Sequence, residues 1–182
     1  MKKALLWIFY ALLGLFLVFV AGGYALPGRV HVERQAVINA PPDKVFAIVS
    51  DLQRSKDWSP WFGLDPNMKV TFDGPGGNTG PGVGQKMSWT STDPNVGNGS
   101  QETTEFVASE KVVAAHDFGD MGKASASVLL APEGAGTRMT WGLDMTMNSM
   151  IERWFGLLMD RMIGPDYEKG LANLKAYAEA QP

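Results

Sequence analysis

The stretch RMTWGLDMTMNSMIERWFGLLMDRMIG, residues 138–164, changes its apolar period halfway along. In its first part every second residue from Met139 to Met145 is apolar, which is typical of a strand with one buried face. Ser149 and Glu152 then have the spacing of a capping box at a helix N-terminus. Apolar residues recur at helical spacing after that pair, at Met150, Trp154, Leu158 and Met162. The stretch therefore predicts a half-buried strand that leads into an amphipathic helix.

The helical pattern continues to the C-terminus, although Gly164 and Pro165 predict a break or kink within it. The later part of its apolar stripe consists of Tyr167, Leu171, Leu174 and Ala178. A helix with such a stripe is suited to cover the apolar face of a sheet.

Upstream, strand-like alternation recurs in short segments that Gly, Pro, Asn or Asp residues separate. The predicted strands are 30–38, 69–73, 85–91, 100–107, 112–118, 123–130 and 138–146, and two short helices are expected between residues 41 and 58. This order predicts an α+β fold in which a curved antiparallel sheet surrounds a long C-terminal helix. We expect a cavity between the sheet and that helix.

The N-terminal segment predicts one transmembrane helix ahead of this domain. Ala4 to Leu26 is an uncharged run of 23 residues, which as a helix spans roughly 34 Å and is long enough for a hydrocarbon core of about 30 Å. Lys2 and Lys3 precede the run, so the positive-inside rule predicts a cytoplasmic N-terminus. The domain is then expected on the extracytoplasmic side, which in a bacterium is the periplasm.

A cleaved signal peptide is the competing interpretation of the same segment. Gly23 and Ala25 supply the small residues of a cleavage site, but the apolar run is longer than the 7–15 residues typical of signal peptides. We favour an uncleaved anchor. The predicted division is residues 1–28 for the anchor and short linker, and residues 29–182 for the folded domain.

Composition excludes several function classes. The chain has no cysteine, so disulfides, thiolate metal sites and cysteine nucleophiles are ruled out. Its net charge of −3 leaves no electrostatic footprint for nucleic acid. His31 and His116 lie on different predicted strands without an acidic cluster, so we expect no metal site and no cofactor.

Several segments resemble the SRPBCC superfamily, also described as START-like or Bet v 1-like, and more narrowly its polyketide cyclase/dehydrase branch. They are residues 32–46, Trp58-Ser59-Pro60-Trp61, residues 82–89, residues 136–141 and residues 164–175. The resemblance implies a helix-grip fold around a hydrophobic cavity that binds lipids, sterols, polyketides or other apolar ligands. Some members of the superfamily are enzymes, and the group shares no catalytic residue.

Strand parity predicts which side chains line such a cavity, because alternate residues of a strand share a face. The apolar members of this set are Met87, Trp89, Phe118, Trp141 and Met145. Gln101, Thr103 and His116 have the same inward parity, and polar groups on an apolar wall are suited to orient a carbonyl or hydroxyl of a ligand. Ordinary core packing is the alternative interpretation for each of these residues.

Glu105 has the parity of Thr103 and is expected to lie near His116. A cavity-facing His–Glu pair would be able to perform acid–base chemistry, because imidazole titrates near neutrality. A core histidine bonded to the backbone, or one that only orients a ligand, is the alternative. We therefore assign no catalytic residue.

The leading hypothesis is a non-enzymatic, membrane-anchored protein that binds a hydrophobic small molecule or lipid in the helix-grip cavity. A cyclase or dehydrase that uses His116 is the second hypothesis. A third is an interaction module whose cavity is collapsed and which acts through its surface.

Overall fold

The computed structural model describes residues 2–94 and 96–181. Met1, Asn95 and Pro182 lie outside the described residues, and with them the outer ends of the predicted ranges 1–28 and 29–182. The helices are α1 (Lys2–Ala25), α2 (Pro42–Val49), α3 (Met150–Gly156) and α4 (Met159–Ala180). The strands are β1 (Arg29–Ile38), β2 (Lys69–Asp73), β3 (Lys86–Thr90), β4 (Asn98–Val107), β5 (Lys111–Asp117), β6 (Lys123–Glu133) and β7 (Gly136–Thr146).

The seven strands form one antiparallel sheet in the order β1-β7-β6-β5-β4-β3-β2. β2 to β7 form a meander. The last strand of this meander, β7, lies beside the first strand of the chain, β1. Each predicted strand is confirmed, with ends that differ by no more than three residues. The predicted α+β helix-grip fold is confirmed as well, since α4 packs on one face of this curved sheet.

Helix α2 and two short 3-10 turns close one end of the sheet. Pro42 occupies the first turn of α2, where its missing N–H costs nothing. One apolar face of α2 is buried against the sheet, and the Phe46 ring packs edge-on to Phe106 of β4 with centroids 5.0 Å apart. The 3-10 turns Leu52–Asp57 and Pro60–Gly63 follow and place Trp58 and Trp61 beside the sheet.

Helix α4 lies on β1 and β7 through the predicted stripe, all of which is buried: Tyr167, Leu171, Leu174 and Ala178. Arg34 of β1 ties the helix to the sheet, because its guanidinium bonds Asp160 at 2.8 and 3.1 Å and Glu168 at 2.8 Å. Gly170 permits the close approach, since a Cβ there would lie 2.7 Å from the Trp141 ring. The helix and sheet are therefore in direct contact along β1 and β7.

The expectation of one long helix from residue 150 is wrong, and of the break or kink predicted at Gly164 and Pro165 the break is absent. Pro165 lies inside α4, and the helices separate at Leu157 and Leu158, whose N–H groups bond carbonyls three residues earlier at 3.3 and 2.8 Å. The predicted capping box is confirmed, because Ser149 Oγ accepts a hydrogen bond from the Glu152 N–H at 3.2 Å. Helix α3 contacts α1 through Trp154 and meets the sheet only at β1, where Gly156 packs on Val30. Periodicity alone does not show which surface an apolar helix face contacts.

Helix α1 has the properties of a membrane span by length and composition. Lys3–Ala25 contains an 18-residue window with a mean hydropathy of 2.6, and none of this window is buried inside the structure. Almost every large apolar side chain of this helix is exposed. An apolar helix with so little protein contact requires another apolar surrounding.

Candidate functional site

All eight predicted site residues lie on the face of the sheet that carries the core. Side chains directly opposite each other in an antiparallel ladder point to the same face, and the register pairs Met87 with Gln101 and Gln101 with His116. Continued across the sheet, one row consists of Phe72, Met87, Gln101, His116, Ala124, Met145 and Val30. Four of the predicted residues therefore share a single row of the inner face.

The inner face is closed at one end of the sheet and open at the other. At the closed end Ile38, Thr137 and Met139 are completely inaccessible to solvent. The row that contains Gln101 and His116 is only half-buried at several positions, and Trp89 and Phe118, two residues further along their strands, are half-buried as well. We call the row of Gln101 and His116, together with the adjacent row of Trp89 and Phe118, the open end. A molecule that binds the inner face has access there.

Aromatic side chains form much of the open end. The His116 imidazole lies nearly parallel to the Phe118 ring, with centroids 5.6 Å apart and planes 25° apart. Trp89 meets Phe118 edge-on at 6.0 Å, and its ring covers Gly99 so closely that a Cβ there would lie 2.5 Å away. These contacts give the open end an apolar, preformed floor.

His116 is the titratable group of this floor. Burial among apolar neighbours lowers the pKa of its imidazole to about 4, and a contact of Nδ1 with the Ala114 carbonyl oxygen at 3.3 Å offsets this only in part. The ring is therefore neutral at physiological pH. A neutral imidazole offers one donor and one acceptor nitrogen.

Thr103 lies one row deeper, opposite Ala114. Its side chain is 1% exposed, and its hydroxyl has no hydrogen-bond partner within the described part of the chain. Buried hydroxyls are normally bonded, because desolvation without a partner costs roughly 1–3 kcal/mol. The missing hydrogen-bond partner of the Thr103 hydroxyl therefore requires an explanation.

The expected contact between Glu105 and His116 is wrong. A register shift between Thr103 and Glu105 places an extra residue in β4, which reverses the parity of the strand beyond that point. Phe106 consequently points to the core, whereas Glu105 is exposed and its carboxylate bonds Lys111 Nζ at 2.8 Å. His116 has no acidic partner among the described residues.

Trp141 belongs to a packed cluster of aromatic rings rather than to the open end. Its ring stacks on Tyr167 with centroids 4.0 Å apart, and Trp58 and Trp61 meet it edge-on at 5.2 and 5.8 Å. These rings occupy the space under α4 where an unfilled cavity was expected.

Trp58 carries a buried polar group that the sequence analysis did not identify. It is buried in the same aromatic cluster, and its Nε1 donor has no partner in residues 2–94 and 96–181. The residue lies between two 3-10 turns, where neither period two nor the helical period identifies an inward side chain. Only its place in the resemblance motif marked it.

The second histidine lies on the opposite face of the sheet. His31 Nδ1 and Asp144 Oδ1 are 2.8 Å apart, and this hydrogen bond raises the pKa of the imidazole. Within the described residues, no group of three or more His, Asp or Glu side chains is placed to hold a metal ion.

Comparison with known proteins agrees with this architecture. A family model described as polyketide cyclase/dehydrase and lipid transport matches residues 29–179. A search of curated proteins found no match.

Solved structures share the fold at low sequence identity. A protein of Chromobacterium violaceum is 17% identical, with a TM-score of 0.59 and coverage of 84% of this chain and 99% of its own. The KanY protein is 19% identical, with a TM-score of 0.58 and coverage of 85% and 100%. The protein Ara h 8.0201 is 12% identical, with a TM-score of 0.57 and coverage of 85% and 100%. At these identities the likeness concerns the fold alone.

Proposed function

This chain belongs to the polyketide cyclase/dehydrase and lipid transport family, and on that basis we propose that it is a membrane-anchored binder of an apolar small molecule or lipid. The ligand binds at the open end of the inner face. Its apolar body contacts Trp89, Phe118, Met87 and Met145, and a single carbonyl or hydroxyl group reaches the polar side chains of Gln101, Thr103 and His116.

The observation that carries this proposal is the buried, unpartnered hydroxyl of Thr103 beside a half-buried row. Apolar pockets gain specificity from a few convergent polar groups, and a ligand oxygen at this point would give the hydroxyl its missing hydrogen bond. The neutral imidazole of His116 supports the same chemistry, because it is able either to donate or to accept.

The anchor and the ligand class support each other. Residues Lys3–Ala25 are long and apolar enough to span a bilayer, and apolar molecules partition into bilayers. A binding domain joined to such a helix by Leu26 to Gly28 would remain beside the source of its ligand. In the proposed orientation Lys2 and Lys3 stay on the cytoplasmic side and the domain lies on the extracytoplasmic side.

Catalysis is the weaker alternative, because Glu105, the expected carboxylate partner, bonds Lys111 instead and no other described carboxylate contacts His116. An imidazole with a pKa of about 4 is also a poor general base at neutral pH. A surface interaction module gains support from one observation, which is that aromatic rings fill the space under α4. If the protein is such an interaction module, the purified chain should carry no small molecule.

Native mass spectrometry of the full chain, released from detergent in the gas phase, tests the proposal. We expect a bound species of small mass that organic extraction recovers as an apolar molecule. His116→Leu should reduce its occupancy about tenfold, in line with the loss of one hydrogen bond to a bound ligand. His31→Leu is the matched control, because it removes the histidine of the opposite face and should leave occupancy unchanged.

Two outcomes would contradict the proposal, the first its bound apolar molecule and the second its binding site at the open end. One is a ligand-free spectrum for chain purified from its own membranes. The other is equal occupancy in His116→Leu and the unmodified chain, which would place the ligand elsewhere.

A further inference from the structure

Helix α3 lies against the C-terminal part of α1 through a close aromatic contact. The Trp154 indole stacks on the Phe19 ring with centroids 5.3 Å apart and planes 4° apart. Its Nε1 donates to the Phe19 carbonyl oxygen at 3.2 Å. Gly23 makes room for α3, because a Cβ there would lie 2.2 Å from Met150 Cγ. The two helices therefore fit each other closely.

Arg153 of α3 fastens the end of α1. Its Nη1 donates to the carbonyl oxygens of Tyr24 at 2.9 Å and Leu26 at 3.3 Å. The last carbonyls of a helix have no partner within the helix, and a cation beside them also favours the helix dipole. The position of α3 relative to α1 is thus fixed by hydrogen bonds as well as by packing.

This contact places α3 beside the apolar part of α1 rather than above it. Phe19 lies six residues before Ala25, the last residue of α1, and six residues of helix correspond to roughly 9 Å. Trp154 is level with Phe19. If the apolar run of α1 ends at the bilayer surface, then Trp154 lies well below that surface.

Exposed apolar side chains continue along α3, through the link that follows it and into the first turn of α4. Exposed fractions are 60% for Ile151, 57% for Phe155, 57% for Leu157, 50% for Leu158 and 58% for Met162. Five large apolar side chains are exposed within twelve residues of sequence, and grouped exposed apolar side chains mark interaction sites. We call these five residues the α3 patch.

The α3 patch lies at the open end of the inner face. Gly156 of α3 packs on Val30 and Met147, and the Met147 N–H bonds the Gly28 carbonyl oxygen at 2.9 Å. Val30 belongs to the same row across the sheet as Met145 and His116. The anchor, the patch and the open rows therefore occupy one end of the domain.

We infer that the α3 patch is inserted into the interfacial region of the bilayer that α1 spans, so that the open end of the inner face is held at the membrane surface. This inference rests on the membrane anchor of the proposed function. Apolar ligands then pass between the bilayer and the inner face without crossing bulk water. The contact is a second membrane attachment, made by the domain itself.

The bilayer is the occupant that the surroundings favour. An open apolar hollow of about 580 Å³ lies between α1 and Trp154 of α3, lined by Leu12, Leu15, Phe16, Val18, Phe19 and Trp154. Phe155 of the patch directly follows Trp154 in α3. Acyl chains fill such a hollow. Glu152, Arg153, Asp160 and Arg161 balance in charge along this segment, so insertion depends on apolar area, and a zwitterionic bilayer suffices.

Depth measurements on single-cysteine variants test this inference, and the cysteine-free chain offers no background reactivity. The full chain with Phe155→Cys or Leu158→Cys is labelled with a fluorophore and reconstituted into phosphatidylcholine vesicles that contain brominated lipid. We expect both labels to lose fluorescence to the bromine atoms and to be shielded from aqueous iodide. Ala172→Cys, at an exposed position of α4, is the control and should show the reverse behaviour.

Leu15→Cys separates failure of the inference from failure of the anchor. If the label at Leu15 is not quenched by brominated lipid, then α1 does not span the bilayer and the proposed anchoring fails as well. If Leu15 is quenched but Phe155 and Leu158 remain accessible to iodide, then the anchor stands and insertion of the α3 patch is wrong. Shielding of the patch from both quenchers would also overturn the inference, because a second copy or another protein would then cover it.

Discussion

The two ends of the inner face are built from the same strands but differ in packing. At the closed end, α2 and α4 bring large apolar side chains onto the sheet, and residues such as Leu174 and Met139 are completely buried. At the open end the row of Gln101 and His116 is half-buried, and one row deeper the Thr103 hydroxyl has no partner among the described residues. The closed end holds the fold together, and the open end is available for a ligand.

Truncation of the closed end should have the largest effect on stability. Leu174 is 0% exposed at the centre of the helix–sheet contact, and Leu174→Ala should lower the free energy of unfolding by about 3–5 kcal/mol, since it leaves a cavity. Met145→Ala, in the half-buried row, should cost less than about 2 kcal/mol because the site is partly solvated already. Urea unfolding of the full chain in detergent measures both values. Equal losses would show that the two ends are packed alike.

The pH dependence of stability should show the apolar surroundings of His116. Its pKa is about 4 in the folded chain, below the ordinary value of 6.5, so the unfolded chain binds more protons between these two values. Its contribution to stability is fully present above pH 6.5 and is lost as the pH falls toward 4, by up to about 3 kcal/mol.

Proton NMR of the two imidazoles provides the direct measurement. His31 is the internal control, because its hydrogen bond with Asp144 raises its pKa and it should titrate above the ordinary value. If His116 titrates at 6.5 or higher, the open end is much wetter than the structure indicates.

Two buried threonines should respond in opposite directions to the same substitution. Thr137, at the closed end, donates to the Ala40 carbonyl oxygen at 2.7 Å, so Thr137→Val should cost about 1–2 kcal/mol. Thr103 has no such partner, and Thr103→Val should therefore raise the stability of the ligand-free chain by about 1 kcal/mol. Thermal unfolding of the two variants makes the comparison. Destabilisation by Thr103→Val would reveal a hydrogen bond that this geometry lacks.

The smallest expected effect concerns the N-terminus of α3. Ser149 Oγ accepts from the Glu152 N–H at 3.2 Å, and Ser149→Ala should cost about 0.5–1 kcal/mol. Hydrogen exchange of the α3 amides measures this cost locally. We expect faster amide exchange in Ser149→Ala, confined to α3. Unchanged exchange would mean that the contact of α3 with α1 maintains the helix without the cap.

Most of the fold was predictable because its signals are local. Alternation identified all seven strands, and the stripe from Tyr167 to Ala178 identified the helix that covers them. Parity also predicted the side of the sheet on which Gln101, Thr103 and His116 lie. These inferences succeed because a strand or a helix places its side chains by a fixed repeat.

The failures occurred where the repeat is interrupted or where two apolar surfaces compete. The extra residue between Thr103 and Glu105 turned the predicted partner of His116 to solvent. The apolar residues of α3 fitted the pattern of a sheet-covering helix, but they contact α1 or remain exposed. The spacing of apolar residues shows that one face of a helix or strand is apolar. It does not show which other surface that face contacts.

Sequence alone determined the apolar N-terminal helix, the seven strands and, as far as the extra residue in β4, which side chains share the inner face, since each of these depends on neighbours along the chain. Tertiary structure decided that aromatic rings fill the space under α4, that the Thr103 hydroxyl lacks a partner, and that the α3 patch lies beside α1 at the open end. These features depend on contacts between residues far apart in the sequence. Only the folded arrangement brings such residues together.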